Sequence, residues 1–468
     1  MEMSFEALAA IQLGWIAVGL YWFMRRADEI PLLTAVLTGY ISGYRYWSVT
    51  SGRDQWADIS NLGYEPVNSV QALSALNLMV LGECVFLVAY LLTQKRAFPP
   101  AQFQFSPEFS RWLRSRLFLA CLCLIPLVKF VEHSLGQQLA EGKSMAFQIS
   151  AYLYLFPWVA SSLAILLVAL WRYADWRDGG RWIAVVLVVV LFYMTYGSTG
   201  RFKFLSWIVA SGVILSAPYR PLIKLAVMGG GVAAAVVVFA IAGAQRQEIQ
   251  FDQKAVVWER LVTAEDANML EGFVFVQAGV AKLGYRYGGE HLEILYRPIP
   301  RTLWPGKPVT SYMLRLTGQD EARGGTLGIS PSLFGSFYME GGVTGIILLS
   351  VIYGWLIGTL VRWGAGLHPF AAILLKGLLC ACMIPLLRGG DLPGIYAWFG
   401  MAFWPFLLLF WFKRKQLVKD SDWFVDLTLQ GEHYAERRGG ASRTPALSRR
   451  HAHTPSATRS MHHRDRIR

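Results

Sequence analysis

Residues 70–93 read VQALSALNLMVLGECVFLVAYLLT and run directly into Gln94-Lys95-Arg96. As a helix rising about 1.5 Å per residue, such a run crosses the roughly 30 Å hydrocarbon layer of a bilayer. Glu83 interrupts it near the middle, where an ionised carboxylate is expensive. It is therefore either protonated or paired with an inward-facing basic residue. The Lys-Arg pair at the end marks the side on which this helix leaves the membrane.

Ten further apolar runs lie at 7–24, 31–49, 113–135, 146–171, 181–197, 203–217, 221–243, 340–361, 369–387 and 393–412, the one at 203–217 being short. The chain thus reads as an all-α, polytopic integral membrane protein with about eleven transmembrane helices. Its composition agrees. Of 468 residues 54% are hydrophobic and 16% charged, against about a quarter charged in soluble domains. The 18 Trp and 27 Phe suit rings at bilayer interfaces. The first run lacks a basic leader and a small-residue cleavage site, so it reads as a helix that stays in the membrane.

Basic residues fall in every second connection: Arg25 and Arg26; Lys95, Arg96, Arg111, Arg114 and Arg116; Arg172, Arg177 and Arg181; Arg220 and Lys224; Arg362; and Lys413, Arg414 and Lys415. The positive-inside rule then places the N-terminus outside and the C-terminus in the cytoplasm of a bacterial inner membrane. The chain divides into helices 1–8 (1–244), a large periplasmic loop (245–339), helices 9–11 (340–412) and a basic, largely disordered cytoplasmic tail (413–468). The net charge of +13 does not indicate nucleic acid. From Lys413 onward thirteen Lys or Arg face six acidic residues, a net of +7 in the tail, which suits anionic membrane lipids. Cys84, Cys121, Cys123, Cys380 and Cys382 all sit in apolar runs without metal-site spacing, so neither a metal nor a cofactor is expected.

The large loop is too polar to span, yet it carries a stretch at 266–282 in which Leu270, Phe273, Phe275, Val276, Val280 and Leu283 predict an amphipathic helix. A segment rich in Pro and Gly follows, including Arg297-Pro-Ile-Pro-Arg-Thr-Leu-Trp-Pro-Gly-Lys-Pro308, which predicts a loop folded onto the membrane face. In it Trp304 reads equally as a sugar platform or a membrane anchor.

Cations on the outer side are the exceptions to the charge rule. They are Arg45, Lys129, Arg201, Lys203 and Arg388, together with Arg246, Arg286, Arg297, Arg301, Lys307, Arg315 and Arg323 of the loop. A guanidinium grips phosphate through two parallel hydrogen bonds, so the cluster suits a diphosphate at headgroup level. The competing reading is internal ion pairing, such as Arg388 with Asp391. Lys376, nearer the cytoplasmic side, reads as a snorkelling structural residue.

Three elements carry a resemblance: Gly200-Arg201 opening a short helix, Tyr287-Gly with Ile299-Pro-Arg-Thr-Leu-Trp-Pro-Gly-Lys-Pro308, and Ser332-Leu-Phe-Gly-Ser-Phe-Tyr-Met-Glu-Gly-Gly-Val-Thr-Gly345. In these the chain resembles the O-antigen polymerase, or oligosaccharide repeat-unit polymerase, family of bacterial membrane proteins. The resemblance implies a membrane glycosyltransferase that polymerises undecaprenyl-diphosphate-linked oligosaccharides outside the cytoplasm, alongside a flippase and a chain-length regulator. Arg201, Lys203, Arg297, Arg301, Lys307 and Arg388 would bind the diphosphate. His291, Glu293 and Glu340 are the leading candidates for catalysis, with Glu290, Asp320 and Glu321 behind them. A ligase acting on finished polymer, or a flippase or exporter of lipid-linked glycan, remains as an alternative.

Overall fold

The computed structural model describes residues 3–57, 65–94, 102–140, 155–176, 180–196, 201–246, 268–299, 303–304, 330–390, 392–417 and 421–426. Among the described residues, each of the eleven apolar runs is largely helical. The first is α1 (Phe5–Arg26), with the Ser4 hydroxyl accepting from the Ala7 N–H at its start. The second is α2 (Ile30–Gly39), continued through a π-helical turn at Tyr40–Tyr44 into α3 (Arg45–Thr50). Then come α4 (Ser69–Thr93), opened by an Asn68–Gln71 capping box, α5 (Pro107–Ala140), α6 (Ala160–Tyr173), α7 (Gly180–Tyr196), α8 (Arg201–Ser216) and α9 (Pro221–Arg246). The large loop contributes α10 (Met269–Leu283) and α11 (Gly289–Tyr296). Last are α12 (Ser332–Gly364), α13 (Pro369–Arg388) and α14 (Leu392–Phe412).

Among the described residues, six helices are long and apolar enough to cross a membrane: α1, α4, the stretch Leu155–Tyr173 that contains α6, α12, α13 and α14. Three shorter apolar helices join them, at Gly180–Thr195, Leu205–Ser216 and Pro221–Gly231. Their outer faces are greasy: Leu92, Tyr193 and Trp411 are each 75% exposed, an arrangement that water would penalise and lipid does not. The chain is a helical membrane protein. Its α4–α12 contact is unusually close, because a Cβ at Gly354 or Gly358 would run into the Phe86 carbonyl or the Thr93 hydroxyl. Small residues one turn apart admit a neighbouring backbone in this way.

The basic connections gather at one end. Arg26 donates to the Gln94 carbonyl at 2.8 Å, and the Gln94 amide donates to the Gly358 carbonyl at 2.6 Å. Glu29 is ion-paired with Lys224 and, at 2.8 Å, with Lys376, which also donates to the Ala27 carbonyl at 2.6 Å. Lys376 is therefore a buried counter-ion, not a snorkelling residue. Burial works to raise the Glu29 carboxyl, but Lys376 and Lys224 hold it below the usual carboxylate range. A two-stranded ribbon, β1 (Phe103–Phe105) with β2 (Phe424–Asp426), closes the same end, and the His368 ring stacks on Phe424 at 3.6 Å. Here Arg114 lies over Trp176, Arg181 over Trp171 and Lys413 over Trp112, the pairing of cation and indole expected at an interface.

The opposite end holds the large loop, and α10 departs from the amphipathic expectation. From Met269 to Val276 every residue is buried, Phe273 and Phe275 completely. The helix sinks into the bundle because Gly272 lets it lie directly on the Ser330–Pro331 backbone, where a Cβ would overlap the Ser330 carbonyl. Each Phe buried in this way contributes roughly 1.5–3 kcal/mol against water.

Helix α12 is broken into two arms. Gly341 (φ −175°, ψ 32°) and Gly342 (φ 63°, ψ −144°) leave helical geometry, and the second lies where side chains are strained. The first arm, 332–340, folds back along the second, so that the Phe337 and Tyr353 rings are 4.9 Å apart. The start of that arm meets the end of α13 through a bridge between Ser332 and Gly389.

Candidate functional site

Two of the candidate catalytic residues meet at the break in α12. Glu340 is the last residue of the first arm, and its carboxylate sits over the N-terminus of α11. It accepts from the N–H groups of Gly288, of Glu290 at 3.0 Å and of His291 at 3.3 Å. These are orphan donors of a helix start, where a carboxylate is doubly favoured by hydrogen bonds and by the helix dipole. The same carboxylate lies 3.0 Å from His291 Nδ1. A carboxylate offers no proton, so Nδ1 carries the hydrogen and donates it. That leaves His291 Nε2 as the basic nitrogen.

Nε2 faces the Tyr353 hydroxyl at 3.0 Å, and Tyr353 in turn accepts from the Tyr396 hydroxyl at 3.0 Å. The chain Glu340–His291–Tyr353–Tyr396 therefore joins both arms of α12, the loop helix α11 and the first turn of α14. A base whose far nitrogen is held by a carboxylate is a recurrent arrangement for drawing a proton from a hydroxyl. The His291 side chain keeps 27% exposure while Glu340 is nearly closed off, so the imidazole is the member a ligand can reach.

Glu293, the third candidate, is enclosed. Arg297 donates to it at 3.2 Å from one turn away, and Arg286 lies 3.6 Å from its other oxygen. Glu290 is also buried, 3.7 Å from Arg286. Both carboxylates position arginines and are poorly placed to take a proton from a substrate. Arg286 and Arg297, at 15% and 27% exposure, flank the helix that carries His291 and both lie against Glu293. The ion-pairing alternative thus holds for Arg286, against Glu290 and Glu293, and for Arg297, against Glu293. It holds fully for Arg45, which is buried between Asp54 and Glu271 and lies 2.5 Å from the latter.

Arg388 closes α13 beside the Ser332 bridge, half-buried at the loop-bearing end. Arg201 and Lys203 open α8, with side chains outside the described set. Arg301, Lys307, Asp320, Glu321 and Asp391 lie outside the described residues. The ring of Trp304 packs edge-on against Tyr296 at 5.7 Å and remains 40% exposed.

Tyr353 and Tyr396 went unnoticed in the sequence, where each is one aromatic among many in an apolar helix. The signal that could have found the site is the paired glycines, Gly288-Gly289 and Gly341-Gly342, which flank the elements it joins. No protein-family model, curated protein or solved structure matches the chain.

Proposed function

We propose that this protein is a membrane glycosyltransferase that extends a glycan carried on a lipid diphosphate, as a polymerase of oligosaccharide repeat units. The observation that carries the reading is the Glu340–His291–Tyr353 arrangement, a part-exposed histidine whose Nδ1 is held by a carboxylate and whose Nε2 meets a hydroxyl, set beside Arg286 and Arg297 on a loop folded into a membrane bundle. In this reaction an acceptor sugar hydroxyl attacks the anomeric carbon of the donor. The new C–O bond forms as the bond to the lipid diphosphate breaks. His291 takes the hydroxyl proton, and the guanidinium groups offset the charge that collects on the departing diphosphate. A lipid diphosphate is already an activated leaving group, so a nucleotide sugar is not required. The gathering of basic connections at the far end supports an orientation with that end in the cytoplasm, the loop outside it, and all eleven apolar helices in the bilayer.

The decisive experiment removes the gene from its host and identifies the lipid-linked glycans that accumulate, by mass spectrometry, with their membrane side assigned. Single repeats stranded on the outer leaflet are expected. Long polymer retained on its carrier would make the protein a ligase, and repeats trapped inside would make it a flippase. Unchanged lipid-linked glycans would remove this reading altogether.

A further inference from the structure

A second polar site lies within the membrane-spanning bundle, on elements other than those that hold His291. Along α2, the π-turn and α3, Thr34, Thr38, Ser42, Arg45 and Ser48 recur at three- and four-residue steps, and all are buried. Facing this stripe, the Gln12 amide of α1 donates to the Ser42 hydroxyl at 2.8 Å and to Glu83 Oε2 at 3.4 Å. Ser42 donates onward to the Thr38 carbonyl at 2.7 Å. Glu83 is wholly inaccessible, and its Oε1 has no hydrogen-bond partner among the described residues; nor does the buried Thr38 hydroxyl.

Among the described residues, nothing of opposite charge answers that carboxyl. From α1 it meets Gln12, and its neighbour Cys84 accepts from Trp15 at 3.0 Å. On α10 Glu271 is taken by Arg45, and α12 presents the Phe334 ring to Gly82. A buried acid with neither a counter-ion nor a full set of donors is a functional signature inside a membrane. The π-turn adds to it, since such turns collect at working sites and shift backbone groups out of helical register. Gly43 is part of the construction, because a Cβ there would overlap Gln12 Oε1.

We propose that Gln12, Thr38, Ser42 and Glu83 form a binding site for one small monovalent cation, a proton or a sodium ion. The carboxylate of Glu83 and the hydroxyls of Ser42 and Thr38 are hard oxygens, with the Gln12 amide N–H group holding Ser42 and Glu83 in place; a single carboxylate supplies one negative charge, too little for a divalent ion held by protein alone. Next to Glu83, Gly82 bears on Phe334, in the arm of α12 that ends at Glu340. Occupancy at Glu83 thereby bears on the arm that orients His291. The inference does not depend on what reaction the loop performs.

The test treats the purified full-length protein in lipid nanodiscs with a fluorescent carbodiimide, which attacks protonated carboxyls from the apolar phase, and locates the label by peptide mass spectrometry. Glu83 is expected to be modified, faster as pH falls. Protection by sodium but not by potassium assigns a sodium site; a response to pH alone assigns a proton site. Ser42→Ala and Gln12→Leu should each change the pH or sodium dependence severalfold. Absence of label on Glu83 at both acidic and alkaline pH would overturn the proposal. So would label whose rate and ion response are the same in both variants as in the native protein.

Discussion

Glu340 and His291 lie 49 residues apart in the chain, yet Oε1 of one and Nδ1 of the other are separated by 3.0 Å. The same imidazole reaches Tyr353 at 3.0 Å with its other nitrogen. One ring thus bridges the two arms of α12 across the Gly341–Gly342 break.

If His291 is the base, His291→Ala should lower the rate of polymer formation by roughly 10²- to 10⁴-fold, the usual contribution of a positioned acid or base. Glu340→Gln should fall by a smaller factor, because the amide can still accept from the α11 N–H groups but no longer favours the Nδ1–H form. Both are read from lipid-linked glycans in membranes matched for protein level. Native rates in His291→Ala would exclude the mechanism.

Tyr353→Phe removes the hydroxyl between His291 and Tyr396 and leaves the ring. It should reduce kcat by about tenfold, the value of one lost polar contact near 1.4 kcal/mol, with KM for the lipid-linked donor unchanged. A rise in KM alone would instead place Tyr353 in substrate binding.

Arg201→Ala, Arg301→Ala and Arg388→Ala should each abolish polymer without lowering protein level, and Lys at those positions should recover little, because a point charge does not reproduce a two-pronged phosphate contact. Full activity in all three Ala variants would remove the diphosphate role.

Arg45→Ala should behave differently. It strands Glu271 and Asp54 in a closed site, and breaking a buried pair from one side destabilises by about 3–5 kcal/mol. The expected result is a lower melting temperature in detergent and less protein in the membrane, partly restored by the double change Arg45→Ala with Glu271→Ala.

Gly342→Ala forces a side chain into a backbone at φ 63° and towards the Tyr285 hydroxyl. A loss of about 1–3 kcal/mol is expected. Gly341→Ala should be milder, since its φ of −175° lies outside the left-handed region and nothing lies within 4 Å of the added methyl. Melting temperatures of the two variants measured side by side check the contrast.

The apolar runs were legible because bilayer thickness sets a length that composition alone reveals. The loop was not. In α10 the pattern of Phe273, Phe275 and Val276 suggested one greasy side, but burial on every side depends on Gly272 meeting Ser330, fifty-eight residues on. Arg45 and Glu271 likewise pair across 226 residues. His291, Glu293 and Glu340 stand out singly as titratable groups in the loop, and the structure separates them into a part-exposed imidazole, a carboxylate enclosed by arginines and a carboxylate that holds the imidazole. The tyrosines of the relay and the π-turn leave no local mark in composition or periodicity.

The paired glycines in α12 give the hydrogen-bonded chain a mechanical property. With Glu340 on one side of an elbow and Tyr353 on the other, any rotation at that elbow alters the gap that a single imidazole must fill. Two contacts of 3.0 Å leave little slack. On the proposed mechanism His291 is a gauge of that angle, since a proton path through it needs both contacts at once.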